Sequence, residues 1–238
     1  MCGLCGCESH LHGPDHDHDH GPSSHRHVKV ERSLLEVNDQ RARALVQRLE
    51  ALGVEAIGLL GGAGSGKTTL LEATLARLGD VAREAVVEGD CATDLDAQRI
   101  AARGVRVVQV TTGALCHLDA ALVEGSLAAL DLRGVARLWI ENVGNLVCPA
   151  AFACGESRRA VVVSVAEGDD KPLKYPALFA TADVLVISKL DLLPYTDFVV
   201  ERCIAHARAA RPGLRALPLS ARSGEGMEAW LEWVEKRA

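Results

Sequence analysis

A glycine-rich run, Gly61-Gly-Ala-Gly-Ser-Gly-Lys-Thr-Thr69, puts Gly61, Gly66, Lys67 and Thr68 at the four fixed positions of Gly-x-x-x-x-Gly-Lys-[Ser/Thr]. Its chemistry is phosphate binding. Glycines let the backbone curl so that the N–H groups of Gly62, Gly64, Ser65, Gly66 and Thr69 can face phosphate oxygens, and a following helix adds partial positive charge. Lys67 would reach the β- and γ-phosphates, and the Thr68 hydroxyl would ligate Mg²⁺. An apolar run, Val54 to Leu60, precedes the loop, and Leu70 to Leu78 follows with helical spacing and stops at Gly79. Strand, loop and helix together imply a nucleoside triphosphate site rather than a bare turn.

Carboxylates come next. Asp90 closes a second apolar run, Arg83 to Glu88 followed by Gly89, and Asp96 lies six residues on. Loops after the carboxyl ends of strands carry the chemistry of α/β sheets, so Asp90 is placed to hold Mg²⁺ or its waters, with Asp96 the second candidate. Asp94, by contrast, reads as a helix cap. Glu141 ends the run Ala136 to Ile140, and Gly144 follows three residues later. An acid at a strand end with a glycine N–H beyond it is an arrangement that senses a γ-phosphate. Ser188-Lys189-Leu190-Asp191 resembles the guanine-reading Asn-Lys-x-Asp of GTPases, with Ser at the Asn position. Ser220-Ala221 is placed like the short loop that touches the guanine oxygen in those enzymes.

A third group of residues has metal-donor chemistry. Cys116 and His117 are adjacent after the run Gly104 to Val110, and Cys148 lies four residues past Gly144. A lone Cys-His pair also fits a buried thiol beside a helix-capping turn. With Cys148 added, two thiolates and an imidazole form a zinc- or nickel-type donor set tied to the γ-phosphate-sensing segment. The N-terminus carries Cys2, Cys5 and Cys7, then a tract with seven of the nine histidines interleaved with Asp15, Asp17 and Asp19. Residues 1–27 cannot bury enough apolar surface to fold alone and are expected to be disordered without a ligand. Their donors suit Ni²⁺, Cu²⁺ or Zn²⁺, and spacing does not choose among them.

Positioning these groups is the task of the remaining chain. Residues 28–238 are long enough for one α/β domain. Apolar runs alternate with helical patterns, which predicts a mostly parallel sheet of about seven strands with helices on both faces. Val28 to Gly53 carries Leu34, Leu35, Val37, Ala42, Leu45, Val46, Leu49 and Leu52 at helix-like intervals, an amphipathic cover for the sheet. Aromatic residues are 3% of the chain, so Val, Leu, Ile and Ala must build the core. A net charge of −6 and no basic stripe argue against nucleic-acid binding. No apolar run approaches the ~20 residues that span a bilayer, and no signal peptide is legible. Triphosphate chemistry makes the cytoplasm the expected compartment and the eight cysteines reduced.

Taken together, the chain resembles the hydrogenase nickel-incorporation GTPases (HypB). The resemblance runs from Cys2-x-x-Cys5-Gly-Cys7 to Ser220-Ala-x-Ser-Gly-Glu-Gly-Met227. It is carried most specifically by Thr112-Gly-x-x-Cys116-His117-Leu-Asp119, Glu141-Asn-Val-Gly-Asn-Leu-Val-Cys148-Pro149 and Glu167-Gly-x-Asp-Lys-Pro-Leu-Lys-Tyr-Pro176. It implies a P-loop NTPase of the SIMIBI type, acting as a slow GTPase whose nucleotide-dependent homodimerisation governs nickel transfer into [NiFe]-hydrogenase. It also implies metal sites at Cys2, Cys5 and Cys7 and at Cys116, His117 and Cys148, the latter near a dimer interface. The partners implied are a small nickel- and zinc-binding maturation protein (HypA) and the hydrogenase large-subunit precursor. Urease nickel-delivery GTPases are expected to carry Cys-Pro-His, and this chain lacks the proline. A nickel-storage protein would leave Lys67-Thr68 and the base-reading loop unexplained. A P-loop kinase would need a lid-like arginine cluster, and none is legible.

Overall fold

The computed structural model describes residues 23–113 and 115–236, with side chains from residue 33. Cys2, Cys5, Cys7 and the histidines from His10 to His20 therefore lie outside the described residues. Strands β1 (Glu55–Gly61), β2 (Glu84–Asp90), β3 (Arg106–Thr111), β4 (Arg137–Glu141), β5 (Arg158–Ser164), β6 (Val184–Ser188) and β7 (Arg215–Pro218) form one sheet. Its order is β3-β2-β4-β1-β5-β6-β7, and every pairing between these strands is parallel. The predicted mostly parallel sheet is confirmed in its strand count and tightened to fully parallel.

Parallel pairing puts the carboxyl ends of all these strands along one edge. The chain leaves β1 toward β2 and β3, returns through β4, then crosses β1 to continue as β5. The glycine loop therefore opens at the point where the sheet's winding reverses, the usual crevice of an open α/β sheet. Side-chain alternation along β1 shows how both faces are covered. Ile57 and Leu59 join a core with Leu70 and Leu71 of α2 (Lys67–Leu75) and Trp230 of α9 (Met227–Glu235). Ala56 faces the other way, toward Leu45 and Leu49 of α1 (Ser23–Ala51) and Val123 of α4 (Ala120–Ser126). Leu60 points into a third cluster with Leu178 and Phe179 of α7 (Pro176–Ala180) and Cys203 and Ala207 of α8 (Val200–Ala210). Shorter helices are α3 (Leu95–Ala101), α5 (Cys148–Ala151) and α6 (Lys171–Lys174).

Two expectations are corrected. α1 starts at Ser23, so residues 23–27 belong to the helix rather than to the tail. Its buried stripe is Asn38, Ala42, Leu45 and Leu49, while Leu34, Val37 and Leu52 are exposed. The stripe i, i+4, i+7, i+11 admits a polar residue because Asn38 finds two buried partners there. Asp94 stands at the N-cap position of α3 but makes no side-chain capping bond; Asp90 accepts from the Thr93 N–H instead.

Candidate nucleotide and metal sites

The glycine loop runs from the end of β1 into α2. Gly66 caps that helix in the left-handed region at φ 94°, and Gly64 also has positive φ, which side-chain-bearing residues adopt at a cost. Gly61 is required by proximity, because a Cβ there would stand 2.4 Å from the Val162 carbonyl oxygen. Lys67 is buried and its ammonium donates to the carbonyls of Gly61 and Gly62 at 3.4 and 3.3 Å, so its charge lies across the loop. Ser65, in the same loop, is fully buried.

Ala63, Gly64, Gly66, Lys67, Thr68 and Thr69 line a cavity of about 350 Å³. Asp90, Asp96, Glu141 and Gly144 line it too, so the sequence-derived acids converge on one site with the loop. The Thr68 hydroxyl donates to Glu141 Oε1 at 2.7 Å. Burial pushes the Glu141 carboxyl up to about 7, against the pull of Lys67 and of that hydrogen bond. Asp90 Oδ1 accepts from the N–H groups of Ala92 and Thr93 at 2.7 and 2.8 Å, which holds its carboxyl below the ordinary range.

Two lining residues escaped the sequence reading. Glu88 is 2% exposed, and burial, then the charges of Glu141, Asp90 and Asp96, push its carboxyl up to about 8. Its place two residues before Asp90 on one strand puts both side chains on the same face, and a Glu within an apolar run was the available signal. Arg99 donates to Asp96 at 2.7 Å and also pairs with Glu72 of α2; three-residue spacing from Asp96 on a helix was its signal. The Oε2 atoms of Glu88 and Glu141 are buried with no hydrogen-bond partner among the described residues. Orphaned carboxyl oxygens beside a threonine hydroxyl are hard oxygen donors, and a divalent cation would favour their ionised form, which fits a hydrated Mg²⁺.

A second cavity, of about 270 Å³, adjoins the first through Gly66, Thr69 and Lys189. Ser188, Lys189, Asp191, Leu192, Ala221 and Arg222 line it, which brings together the two stretches expected from sequence to read the base. Ser220 is buried, and its hydroxyl donates to Asp191 Oδ1 at 2.6 Å, fixing the carboxylate. Ser188 donates to the Ser65 carbonyl at 2.6 Å, and the Lys189 ammonium to the Gly64 carbonyl at 2.6 Å. The serine that departs from the Asn-Lys-x-Asp pattern thus ties the base-side loop to the phosphate loop.

Cys116, His117 and Cys148 come together, with one donor atom from each inside a 4.8 Å group. Cys116 Sγ lies 3.1 Å from Cys148 Sγ and 3.9 Å from His117 Nδ1. Atoms bound to one ion at ~2.0–2.3 Å stand roughly 3–4 Å apart, so this spacing suits a shared metal. His117 is buried and stacks on Phe152 at 4.3 Å; burial lowers its pKa, against the charge of Asp119, and favours the neutral imidazole that metals need.

The two sites share a segment. Gly144 packs so close to the phosphate loop that a Cβ there would meet Ala63 Cα at 2.6 Å. Asn145 donates to the Cys116 carbonyl at 3.2 Å. Asn142 accepts from the Leu118 N–H at 2.9 Å and donates to Cys154 Sγ at 3.4 Å. Residues 141–148 therefore touch nucleotide-facing and metal-facing groups in one short stretch.

The chain is similar to known proteins in both sequence and fold. Residues 55–218 match the family model described as CobW/HypB/UreG, nucleotide-binding domain. The hydrogenase maturation factor HypB of Azotobacter vinelandii is 49% identical over 225 residues, 94% of this chain and 74% of that protein. Among solved structures, HypB from Helicobacter pylori in complex with nickel is 37% identical with a TM-score of 0.78, covering 83% of this chain and 93% of the other. HypB from Archaeoglobus fulgidus is 35% identical with a TM-score of 0.77, covering 84% and 97%.

Proposed function

The chain belongs to the CobW/HypB/UreG family and, within it, to the HypB hydrogenase maturation factors, and from that premise we propose that it is a GTP-hydrolysing nickel metallochaperone. It would gate nickel insertion during [NiFe]-hydrogenase maturation. The observation that carries the reading is the 141–148 segment, which joins Glu141 and Gly144 in the nucleotide cavity to Cys148 in the donor cluster.

The guanine base would sit in the cavity closed by Ser188, Lys189, Asp191 and Ala221, with Asp191 accepting from the base N1–H and amine. The phosphates would lie on the N–H groups at the start of α2, with Lys67 neutralising the β/γ charge. Thr68, Asp90 and Glu141, with Asp96 as second candidate, would hold Mg²⁺ or its waters. That ion, when bound, would supply charge neutralisation at the γ-phosphate. In hydrolysis a water oxygen forms a bond to the γ-phosphorus as the bond to the GDP oxygen breaks. The fixed charges of this wall stabilise the transferring group. Loss of the γ-phosphate would let the 141–148 segment move and alter the nickel ligands. Cys2, Cys5 and Cys7, outside the described residues, are proposed as a second metal site, and Zn²⁺ fits both donor sets.

Leu115 and Val147, each next to a cluster ligand, are 41% and 46% exposed, which supports an apolar rim facing a second copy of the chain. HypA and the hydrogenase large-subunit precursor are the proposed partners. No described helix is long and apolar enough to cross a membrane, and a cytoplasmic site of action is proposed. Lys67→Ala is expected to abolish GTP hydrolysis, measured as phosphate release. A Lys67→Ala protein that hydrolysed GTP normally would overturn the assignment of the phosphate site.

A further inference from the structure

The phosphate end of the nucleotide cavity carries four acidic side chains, Glu88, Asp90, Asp96 and Glu141, and a triphosphate brings several negative charges of its own. Lys67 faces them from the loop, and Lys189 is engaged at Gly64 on the base side. Arg99 is the remaining cation lining this cavity among the described residues.

Its guanidinium is held at the cavity edge by two carboxylates. Asp96 lies on the same helix, and Glu72 lies on α2, five residues after Lys67. The anchor is therefore part of the element that carries the phosphate lysine. Arg103 approaches Glu72 at 3.7 Å, so Glu72 keeps a counter-charge when Arg99 turns away from it. Arg99 is also half-exposed, with room to swing about its own stem.

We propose that Arg99 is a catalytic cation supplied in cis, which turns from Glu72 to the γ-phosphoryl oxygens as charge spreads over them. The proposal rests on the GTP-hydrolysis reading above. The guanidinium stays protonated throughout; the new water–phosphorus bond and the broken bond to GDP are those of the hydrolysis itself. A planar fork of donors matches phosphoryl oxygens better than an ammonium does, so lysine should substitute poorly.

The test is single-turnover GTP hydrolysis in the full chain carrying Arg99→Ala or Arg99→Lys. GDP affinity and formation of the GDP–aluminium fluoride complex are measured alongside. Arg99→Ala should lower the rate about 10²-fold or more, leave GDP affinity unchanged and abolish the fluoride complex. Added guanidinium ion should restore part of the rate. Should Arg99→Ala not fold, Glu72→Gln and Arg99→Lys decide: Glu72→Gln keeps the guanidinium and should keep the complex, and Arg99→Lys should lose it. Arg99→Ala turning over at the unaltered rate, or losing GDP binding in step with rate, would overturn the proposal. So would Glu72→Gln and Arg99→Lys failing alike, since both would then report only a lost helix tie. Normal turnover in Arg99→Ala with none in Lys67→Ala would overturn Arg99 alone. An unaltered protein that binds GTP without hydrolysing it would overturn the functional reading and this proposal together.

Discussion

Glu88 is a carboxyl whose ordinary value of 4.5 is raised to about 8 by burial and by three neighbouring acids. Between those values the folded chain holds a proton that the unfolded chain has lost. Stability from this group is therefore full below about 4.5 and is lost as pH rises through about 8. The metal- and nucleotide-free protein should melt at lower temperature as pH rises across that window, and Glu88→Gln should flatten the slope. Magnesium should oppose the loss by pairing with the ionised cluster. Thermal melts of both proteins between about pH 5 and 9 check this; parallel curves would contradict it. In the second cavity Asp191 is held by Ser220, and its removal takes away the acceptor proposed for guanine. Asp191→Ala should lose most of its preference for GTP over ATP by competition binding, whereas retained discrimination would place base recognition elsewhere.

At the scale of elements, Asn38 is the point where α1 meets the segments that follow Cys116-His117 and Cys148. Its amide donates to the Ala153 carbonyl at 3.0 Å and accepts from the Ala120 N–H at 3.0 Å. Ala120 follows the Cys116-His117 stretch, and Ala153 follows Cys148. Asn38→Ala should cost about 1–3 kcal/mol by leaving two buried backbone groups unpaired. Chemical denaturation measures that cost, and nickel titration should show weaker binding at the internal cluster. Unchanged stability would mean that water satisfies those groups. Gly144→Ala forces a methyl group into Ala63; it should weaken the GTP complex more than the GDP complex by fluorescent-nucleotide titration, and equal losses would refute γ-phosphate sensing by this segment. What could be read from sequence divides along the same lines. Apolar runs and glycine punctuation marked β1 to β4 and gave the strand number, and motif spacing picked out Lys67, Thr68, Asp90 and Glu141, which the fold brings to one cavity. Asn38, Glu88 and Arg99 were hidden because their roles depend on tertiary neighbours: Ala153 is 115 residues from Asn38, and Glu72 is 27 from Arg99. A polar residue in a helix stripe or strand face has no local signature of the partner that keeps it there.

For the whole molecule, fully parallel pairing sets the glycine loop after β1, the acids that end β2 and β4, and the loops after β6 and β7 proposed to hold the base on one edge. The metal cluster hangs from that same edge, because Cys148 follows the β4 turn and Cys116 follows β3. Under the proposed function these two sites share residues 141–148, and any coupling between them is reciprocal: if GTP and GDP change nickel affinity, nickel changes GTP and GDP affinity by the same factor. The most direct measurement is Ni²⁺ titration of a chain shortened to begin at Ser23, which removes Cys2, Cys5 and Cys7 while keeping α1 whole. The protein is loaded in turn with GDP and with a non-hydrolysable GTP analogue. A several-fold difference in affinity is expected, on the roughly 1–3 kcal/mol scale of such couplings, and Cys148→Ser should abolish it. Equal affinities in the two nucleotide states would contradict the account and leave Cys116, His117 and Cys148 as a metal site uncoupled from the nucleotide.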